Sequence, residues 1–226
     1  MVEPTYGASD HYLNTKGESY FKWQGRSGLI DGQIEAHKFR HLIQDTDTVL
    51  DFGCGGGFVL HALNCSRRIG VEINPAARQQ ALTLDVECYA DLRDVPDGLA
   101  DVIISNHALE HVPYPIEALK QLRQKLKLHG TLALCVPIED WRNHKHYNPN
   151  DVDHHLYSWT IQLLGNCLSE AGFAVSEGSI SIVTHAWPKY YDFLYQNLPL
   201  PLFDFLCNLW SRLYKRRQLI AIVKSN

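Results

Sequence analysis

Residues 48–57 read Thr-Val-Leu-Asp-Phe-Gly-Cys-Gly-Gly-Gly, and this stretch decides the fold. Its apolar start predicts a buried strand that ends at Asp51, and the apolar residues from Phe58 onward predict a helix. A strand, a glycine turn and a helix form a cradle for a nucleotide or cofactor, because the first N–H groups of the helix face the ligand. Glycines in the turn let the backbone approach a ligand that any Cβ would hold off.

The glycine spacing separates two cofactor classes. The dinucleotide pattern G-x-G-x-x-G, counted from Gly53, would need a glycine at Phe58, so an NAD-dependent enzyme is disfavoured. The chain instead has D-x-G-x-G-x-G, formed by Asp51, Gly53, Gly55 and Gly57. This pattern resembles motif I of the class I S-adenosylmethionine-dependent methyltransferases, in which the loop passes beneath the methionine part of the cofactor and the acid anchors it. An ordinary tight turn is the alternative.

A second acid follows the next predicted strand, residues 67–73. Glu72 lies nineteen residues after Gly53, and a carboxylate at a strand end can accept hydrogen bonds from both ribose hydroxyls. Asn74 then predicts a helix start as a capping residue. The sequence G-x-E-x-N-P resembles the second cofactor motif of the same methyltransferases, which makes Glu72 and Ile73 candidate cofactor residues. A solvated strand end is the alternative for Glu72.

The resemblance implies further cofactor residues. Asp91 follows a short predicted strand, at the place where the family bonds the exocyclic amine of adenine, and the backbone of Leu92 would lie at the ring. A helix or turn cap is the alternative for Asp91. Asn106 ends the fourth predicted strand, on the ligand side. Cys54, within the glycine loop, is also a candidate, although its small side chain equally suits packing.

Two histidines at the mouth of the fourth strand are the candidate catalytic residues. His107 and His111 lie where the methyl acceptor is found in the family, and Glu110-His111 matches the type 11 methyltransferase pattern. Imidazole titrates near neutral pH, so either could act as a base or orient the acceptor. The alternative is that Glu110-His111 is structural and bonds neighbouring loops.

A metal site is a further alternative. His107, Glu110 and His111 resemble the E-x-x-E-H element of metal-dependent O-methyltransferases, including those that modify the 3′ end of small RNAs, and His155 matches their additional histidine. A bound divalent ion would acidify an acceptor hydroxyl. His107 replaces a glutamate of that element and suits a hard ion less well. The prediction is therefore no metal, with these four residues as the alternative set.

Strands and helices alternate, which predicts a doubly wound, seven-stranded α/β sheet. By resemblance, the seventh strand is antiparallel and lies beside the sixth. We expect one domain over residues 1–226, with an N-terminal cap or lid at 1–44, a core at 45–184 and 218–226, and a helical insertion at 185–217. The insertion is rich in leucine and aromatic residues. It could pack on the sheet, form a homodimer contact, cover a hydrophobic acceptor or dock on a membrane surface.

Composition bounds the remaining possibilities. The chain is 45% hydrophobic and 20% charged, as in soluble globular proteins, and its net charge of −4 disfavours a nucleic-acid partner. No apolar run is long enough to cross a bilayer, and residues 1–10 do not resemble a secretory leader. The six cysteines are scattered without C-x-x-C pairs, which indicates buried thiols in a reducing compartment. We therefore expect a cytoplasmic protein.

These observations predict an S-adenosyl-L-methionine-dependent methyltransferase that acts on a small-molecule or lipid- or saccharide-type acceptor. Metal-assisted O-methylation is one alternative. A non-catalytic protein that binds a partner through the helices of residues 184–217 is the other. The intact cofactor residues speak against that second alternative; they are Asp51, Gly53, Gly55, Glu72 and Asp91. The acceptor, and the choice between oxygen, nitrogen and carbon, stay open.

Overall fold

The computed structural model describes residues 6–7, 10–12, 17, 21, 28–139, 146–149, 151–184, 187–214 and 217–225. Some residues of the predicted segments lie outside the described residues. They are Tyr20, Lys22 and Trp23 of the N-terminal lid, Trp141, Arg142 and His144 of the polar segment 138–157, and Lys215 and Arg216 of the insertion.

Seven strands form one sheet in the order β3-β2-β1-β4-β5-β7-β6. Their bounds are β1 Thr48–Phe52, β2 Arg67–Val71, β3 Glu87–Tyr89, β4 Ala100–Asn106, β5 Leu126–Ile138, β6 Ile180–Thr184 and β7 Arg217–Lys224. Strands β1 to β5 pair in parallel, whereas β7 is inserted between β5 and β6 and runs antiparallel to both. The predicted doubly wound sheet and antiparallel last strand are confirmed.

Seven α-helices accompany the sheet in the described residues. They are α1 Gly28–Ala36, α2 Phe58–His61, α3 Pro75–Leu82, α4 Pro115–Lys125, α5 Ile161–Glu170, α6 Tyr191–Asn197 and α7 Leu200–Tyr214. Local sequence sets several of their starts: the side chain of Asn74 accepts a hydrogen bond from Ala76 N before α3, and Thr160 Oγ1 accepts one from Leu163 N before α5. Over the described residues, none of these helices has the length and apolarity needed to cross a membrane.

The sheet is covered on both faces, as the continuous apolar run of β4 predicts. Ile103 belongs to a core cluster on one face, together with Leu119 of α4 and Trp159. Its neighbours Val102 and Ile104 belong to the cluster on the other face, with Phe39 and Leu60. These residues are almost fully buried, so β4 is the centre of the hydrophobic core.

The structure corrects two further element bounds that the sequence predicts. The residues after Gly172-Phe173 predict a sixth strand over 174–183, but β6 begins at Ile180, because a turn closed by the bond from Ser176 N to Ser179 Oγ (3.0 Å) interrupts it. The spacing of the leucines before β5 predicts a helix over 116–128, closed by His129-Gly130. It ends at Lys125 instead, because Leu126 already pairs with Ala100. His129 therefore lies within β5, with a φ of 62°.

The order of the strands brings the predicted site together. The chain leaves β1 and β4 at the same sheet edge, and the connections from these neighbouring strands diverge there, which makes a crevice for a ligand. The two loops touch: a β-carbon on Gly53 would lie only 2.4 Å from Cβ of Ala108. Ser105 Oγ reinforces the contact by donating a hydrogen bond to the Phe52 carbonyl (2.9 Å).

Candidate functional site

The glycine loop is bonded to β2 and open on one side. Gly53 N and Cys54 N both donate to the Val71 carbonyl, at 2.8 and 3.2 Å. Gly53 and Gly55 have φ values of 77° and 52°, which favour glycine. A β-carbon on Gly55 would meet no atom within 4 Å, so this part of the loop borders open space. The loop therefore provides the close backbone approach that a cofactor cradle requires.

The Glu72 carboxylate lies against this loop. Its Oε2 accepts a hydrogen bond from Gly55 N (3.0 Å), and its Oε1 accepts one from Asn74 N (2.7 Å). Burial raises the pKa of Glu72, while these two bonds act in the opposite direction. The carboxylate thus links the turn after β1 to the turn after β2.

Two cavities flank the glycine loop and share its glycines. The first, which we call the Glu72 cavity, has a volume of about 120 Å³ and is lined by Tyr6, Tyr12, Phe21, Gly53, Gly55, Glu72, Ile73, Asn74, His107 and His111. The second, the Asp51 cavity, has a volume of about 470 Å³ and is lined by Phe21, Asp31, Glu35, Asp51, Gly53, Cys54, Gly55, Asn106, Trp187 and Tyr191.

Asp51 is a buried acid without full hydrogen bonding. It is 2% exposed, and its Oδ1 has no hydrogen-bond partner among the described residues. Burial, aided by the charge of Glu72, raises the pKa of Asp51 from 3.8 to about 8. A buried polar atom without a hydrogen-bond partner costs free energy. It marks a position where a ligand donor would be accommodated.

The other predicted cofactor residues are not among those that line the Glu72 cavity. Asp91 caps the short 3-10 helix Leu92–Asp94 by accepting from Arg93 N (2.9 Å), and its carboxylate also pairs with the Arg93 guanidinium. Leu92 is fully buried in the core. A β-carbon on Gly57 would lie 3.1 Å from Ala81, so this glycine serves helix packing. Cys54 Sγ lies 3.7 Å from the sulfur of Cys88.

His107 is part of a buried network of charges. Its Nε2 donates to Gln218 Oε1 (2.8 Å), an oxygen that also accepts from Lys38 Nζ (3.2 Å). Its Nδ1 lies 3.3 Å from Oε1 of Glu110. Burial alone would lower the pKa of His107, but the Cys135 thiol and the Glu110 carboxylate outweigh it and raise that pKa well above its usual value. Since both ring nitrogens face acceptors, His107 is an imidazolium.

His111 has the opposite protonation state. Tyr12 has one hydroxyl proton, which it donates to the Asp153 carbonyl (2.7 Å). The bond between Tyr12 Oη and His111 Nδ1 (2.5 Å) is therefore donated by the nitrogen. Burial lowers the pKa of His111, and the neighbouring His155 acts in the same direction. His111 is thus neutral at pH 7, with its lone pair on Nε2.

Three of the four residues in the alternative metal set converge. Ligand atoms of Glu110, His111 and His155 lie within 4.8 Å of one another. Glu110 is fully buried, and its Oε1 makes an ion pair with His107 Nδ1 (3.3 Å). His155 bonds the Glu139 carboxylate through Nδ1, so its Nε2 takes no part in that bond. His107, the fourth residue, is not among the three converging ligands, and its Nε2 bonds Gln218.

Sequence reasoning missed several residues of this site. Lys38 pairs with Glu35 and donates to Asn106 Oδ1 (3.0 Å), and Gln218 joins Lys38 to His107. The spacing of Glu35 and Lys38 on one helical turn is a signal that could have suggested an ion pair. Gln218 is distant in sequence, and only the insertion of β7 beside β5 brings it to the site.

A sequence model described as a methyltransferase domain matches residues 30–177, which is more than half of the chain. The chain belongs to this family. Trans-aconitate 2-methyltransferase of Enterobacter sp. (strain 638) is 35% identical over 106 residues, covering 43% of this chain and 42% of that protein. The chain thus spans less than half the length of the curated relatives it matches.

Solved structures of other methyltransferases share the fold. A Thermotoga maritima protein described as a possible histamine N-methyltransferase superposes with a TM-score of 0.63 at 15% identity, covering 92% of this chain and 95% of that one. Phosphoethanolamine N-methyltransferase 2 of Haemonchus contortus, in complex with S-adenosyl-L-methionine, has a TM-score of 0.60 at 12% identity, covering 94% and 57%. The chain therefore carries a methyltransferase domain, and its fold is the one that these solved methyltransferases share.

Two alanine substitutions in the loop are expected to differ. Both would place a side chain at positive φ, at about 1–2 kcal/mol each. Gly53→Ala would also drive a methyl group into Ala108, which adds about 1–3 kcal/mol of destabilisation. Gly55→Ala meets open space, so its main effect would be weaker binding of S-adenosylhomocysteine. Urea unfolding and calorimetric titration of both variants measure this difference, and equal unfolding free energies would contradict it.

The pKa of Asp51 predicts a pH-dependent stability. Between about pH 5 and about pH 8, the native protein holds a proton on Asp51 that the unfolded chain has released, so the free energy of unfolding falls as pH rises. Asp51→Asn removes this loss. Its stability advantage over the wild type should therefore grow across the window, by up to about 1.4 kcal/mol per pH unit. Asp45→Asn, at an exposed position, is the control. Parallel stability curves for Asp51→Asn and the wild type would refute the prediction.

Proposed function

We propose that the Glu72 cavity binds the adenosine part of S-adenosyl-L-methionine and that the glycine loop lies beneath its methionine part. The observation that carries this proposal is the open side of Gly55, directly beside the Glu72 carboxylate. When bound, this cofactor supplies a methyl group already activated by its sulfonium. The contribution of the chain is then to hold the reactants in line and to exclude water.

Individual side chains suit parts of this task. The Glu72 carboxylate is fitted to accept from ribose hydroxyls, with Ile73 beside it in the same wall. The unpaired Oδ1 of Asp51 can accept a hydrogen bond, directly or through water. Asn106 Oδ1 is already held by Lys38. The ring of Phe21 lines both cavities, which supports a lid role for the N-terminal segment.

Adenine recognition by Asp91 and Leu92 stays a prediction. The bonds of Asp91 to Arg93 favour the capping role, since the carboxylate already has backbone and guanidinium donors. Binding of adenine by the Asp91 carboxylate would require it to share or exchange these donors. We therefore infer that Asp91 fixes the turn that carries Leu92.

The two histidines receive different roles. His111 is neutral, with a lone pair on Nε2, so we propose that it accepts the proton of a hydroxyl or amine acceptor as a general base. His107 already carries its proton in the network with Glu110 and Gln218. It would therefore orient the acceptor rather than deprotonate it. Because both line the Glu72 cavity, the acceptor would enter there.

The acceptor class is a small molecule or a lipid-linked compound. The bacterial relatives carry the name trans-aconitate 2-methyltransferase, but the match covers less than half of their length. We therefore do not extend that acceptor to this protein.

Calorimetric titration with S-adenosylhomocysteine tests the cofactor site. Glu72→Gln should weaken binding by about tenfold to hundredfold, because it removes charged hydrogen bonds. Glu170→Ala, an exposed change at the end of α5, should leave the affinity unaltered. Circular dichroism would establish that both variants are folded. Absence of binding to folded wild-type protein would refute the proposed function.

A metal-assisted reaction is the second candidate, favoured by the convergence of Glu110, His111 and His155. Each residue offers a ligand atom: the Glu110 carboxylate is buried, and each imidazole has its Nδ1 in a hydrogen bond that does not involve its Nε2. The bond from His155 to Glu139 has the form of the outer contacts that orient metal-binding histidines. An ion held there would lower the pKa of an acceptor hydroxyl.

Titration with Mn²⁺, followed by calorimetry, distinguishes the two mechanisms. If the metal is used, the wild type should bind Mn²⁺ and His155→Ala should lose at least about tenfold in affinity, in line with the loss of one ligand. His61→Ala, at an exposed position on α2, is the matched control. Absence of Mn²⁺ binding, or full methyl transfer after treatment with a chelator, would leave His111 as a metal-free base.

A further inference from the structure

Helix α7 presents an apolar stripe to solvent. Leu202, Phe205, Leu209 and Leu213 recur at intervals of three and four residues, which places them along one side of the helix. Their exposed fractions are 45%, 61%, 48% and 67%. Apolar side chains aligned in this way are unusual on a protein surface and mark a place where something binds.

A different side of α7 makes the contacts with the rest of the protein. Phe203 and Ser211 are each only 1% exposed, and the ring of Phe203 packs edge-on against Tyr195 of α6 at 5.2 Å. The helix is therefore anchored without using the stripe. Helix α6 adds Phe193, which is 64% exposed. The α6–α7 hairpin thus packs against the rest of the protein and leaves an apolar surface exposed.

Charge indicates what covers this surface. Residues 187–217 contain five basic and two acidic residues, although the whole chain has a net charge of −4. Lys189, Arg212 and Arg217 are exposed members of the basic group. A second copy of the chain, docked by a two-fold axis, would place two such basic segments together, which is unfavourable. An anionic lipid surface offers the complementary charge.

We propose that the α6–α7 hairpin docks on a membrane surface that contains anionic lipids. The stripe would enter the boundary between headgroups and acyl chains while the helix lies in the membrane plane, and the basic residues would contact the headgroups. Trp210 and Tyr214, with ring centroids 4.5 Å apart on α7, are residue types favoured at this boundary. The arrangement binds to the membrane without spanning it.

The hairpin adjoins the Asp51 cavity. Tyr191 of α6 donates a hydrogen bond to Asp31 Oδ1 of α1 (2.6 Å), and its ring lies 4.5 Å from that of Trp187. Tyr191 and Trp187 both line that cavity. This cavity shares Gly53 and Gly55 with the Glu72 cavity, where the acceptor would enter. Docking would therefore hold the site close to the lipid, which favours a lipid-linked methyl acceptor. That consequence rests on the proposed function, whereas the docking itself does not.

Co-sedimentation of the full chain with lipid vesicles tests the proposal. The wild type should sediment with vesicles of phosphatidylcholine and phosphatidylglycerol, and much less with phosphatidylcholine alone. Added salt should weaken the interaction, because it screens the basic residues. Leu209→Glu should lower the partition coefficient by about tenfold or more. The substitution removes a leucine that the membrane would bury and adds a negative charge that anionic lipids repel.

Leu128→Glu is the matched control, because it makes the same change at a residue that is 74% exposed in β5. It should bind vesicles like the wild type. Absence of vesicle binding by the wild type, or equal binding by the Leu209 and Leu128 variants, would overturn the proposal. So would a wild-type dimer that Leu209→Glu converts to a monomer, with no vesicle binding. S-adenosylhomocysteine titration of the same samples reports the cofactor site separately.

Discussion

The site depends on the partly buried carboxylate of Glu72, which joins two turns of the chain. It accepts one backbone hydrogen bond from Gly55 and another from Asn74, so it connects the exits of β1 and β2. A buried carboxylate costs free energy unless such donors compensate it. Both donors would have to share its oxygens with ribose hydroxyls when a cofactor binds. Glu72, which holds the glycine loop in place, is therefore also the residue that would recognise the ligand.

Buried charge explains why His107 and His111 differ in protonation state. Glu110 is fully buried beside His107, and the chain compensates this acid with a protonated imidazole and, further along, with Lys38 through Gln218. With that proton committed to the ion pair, His107 cannot act as a base at neutral pH. Burial and the neighbouring His155 lower the pKa of His111, which donates its Nδ1 proton to Tyr12. One carboxylate thus separates the two protonation states within four residues.

The sequence predicted the parts of the site that local chemistry determines. Gly53, Gly55 and Glu72 follow directly from the spacing of a strand, a turn and a strand, and the structure brings them to one cavity. Gly57 and Asp91 have motif positions as well; Gly57 packs near Ala81 and Asp91 caps a short helix, and their cofactor roles stay predictions. A motif identifies which residue types are present, whereas neighbouring side chains decide what each one contacts. Gln218 and Lys38 were not predicted as site residues, because their contacts join elements that are far apart in sequence.

The same limit applies to the insertion. Its leucines and aromatic residues satisfy the pattern of a packed helix equally well as that of an interfacial one, so composition alone cannot separate a core helix from a docking helix. The distinction comes from which side of the helix the fold buries. Phe203 and Ser211 are buried, and the stripe through Leu209 is not. With a basic segment beside it in an acidic protein, the exposed stripe favours a lipid surface over a second protein chain.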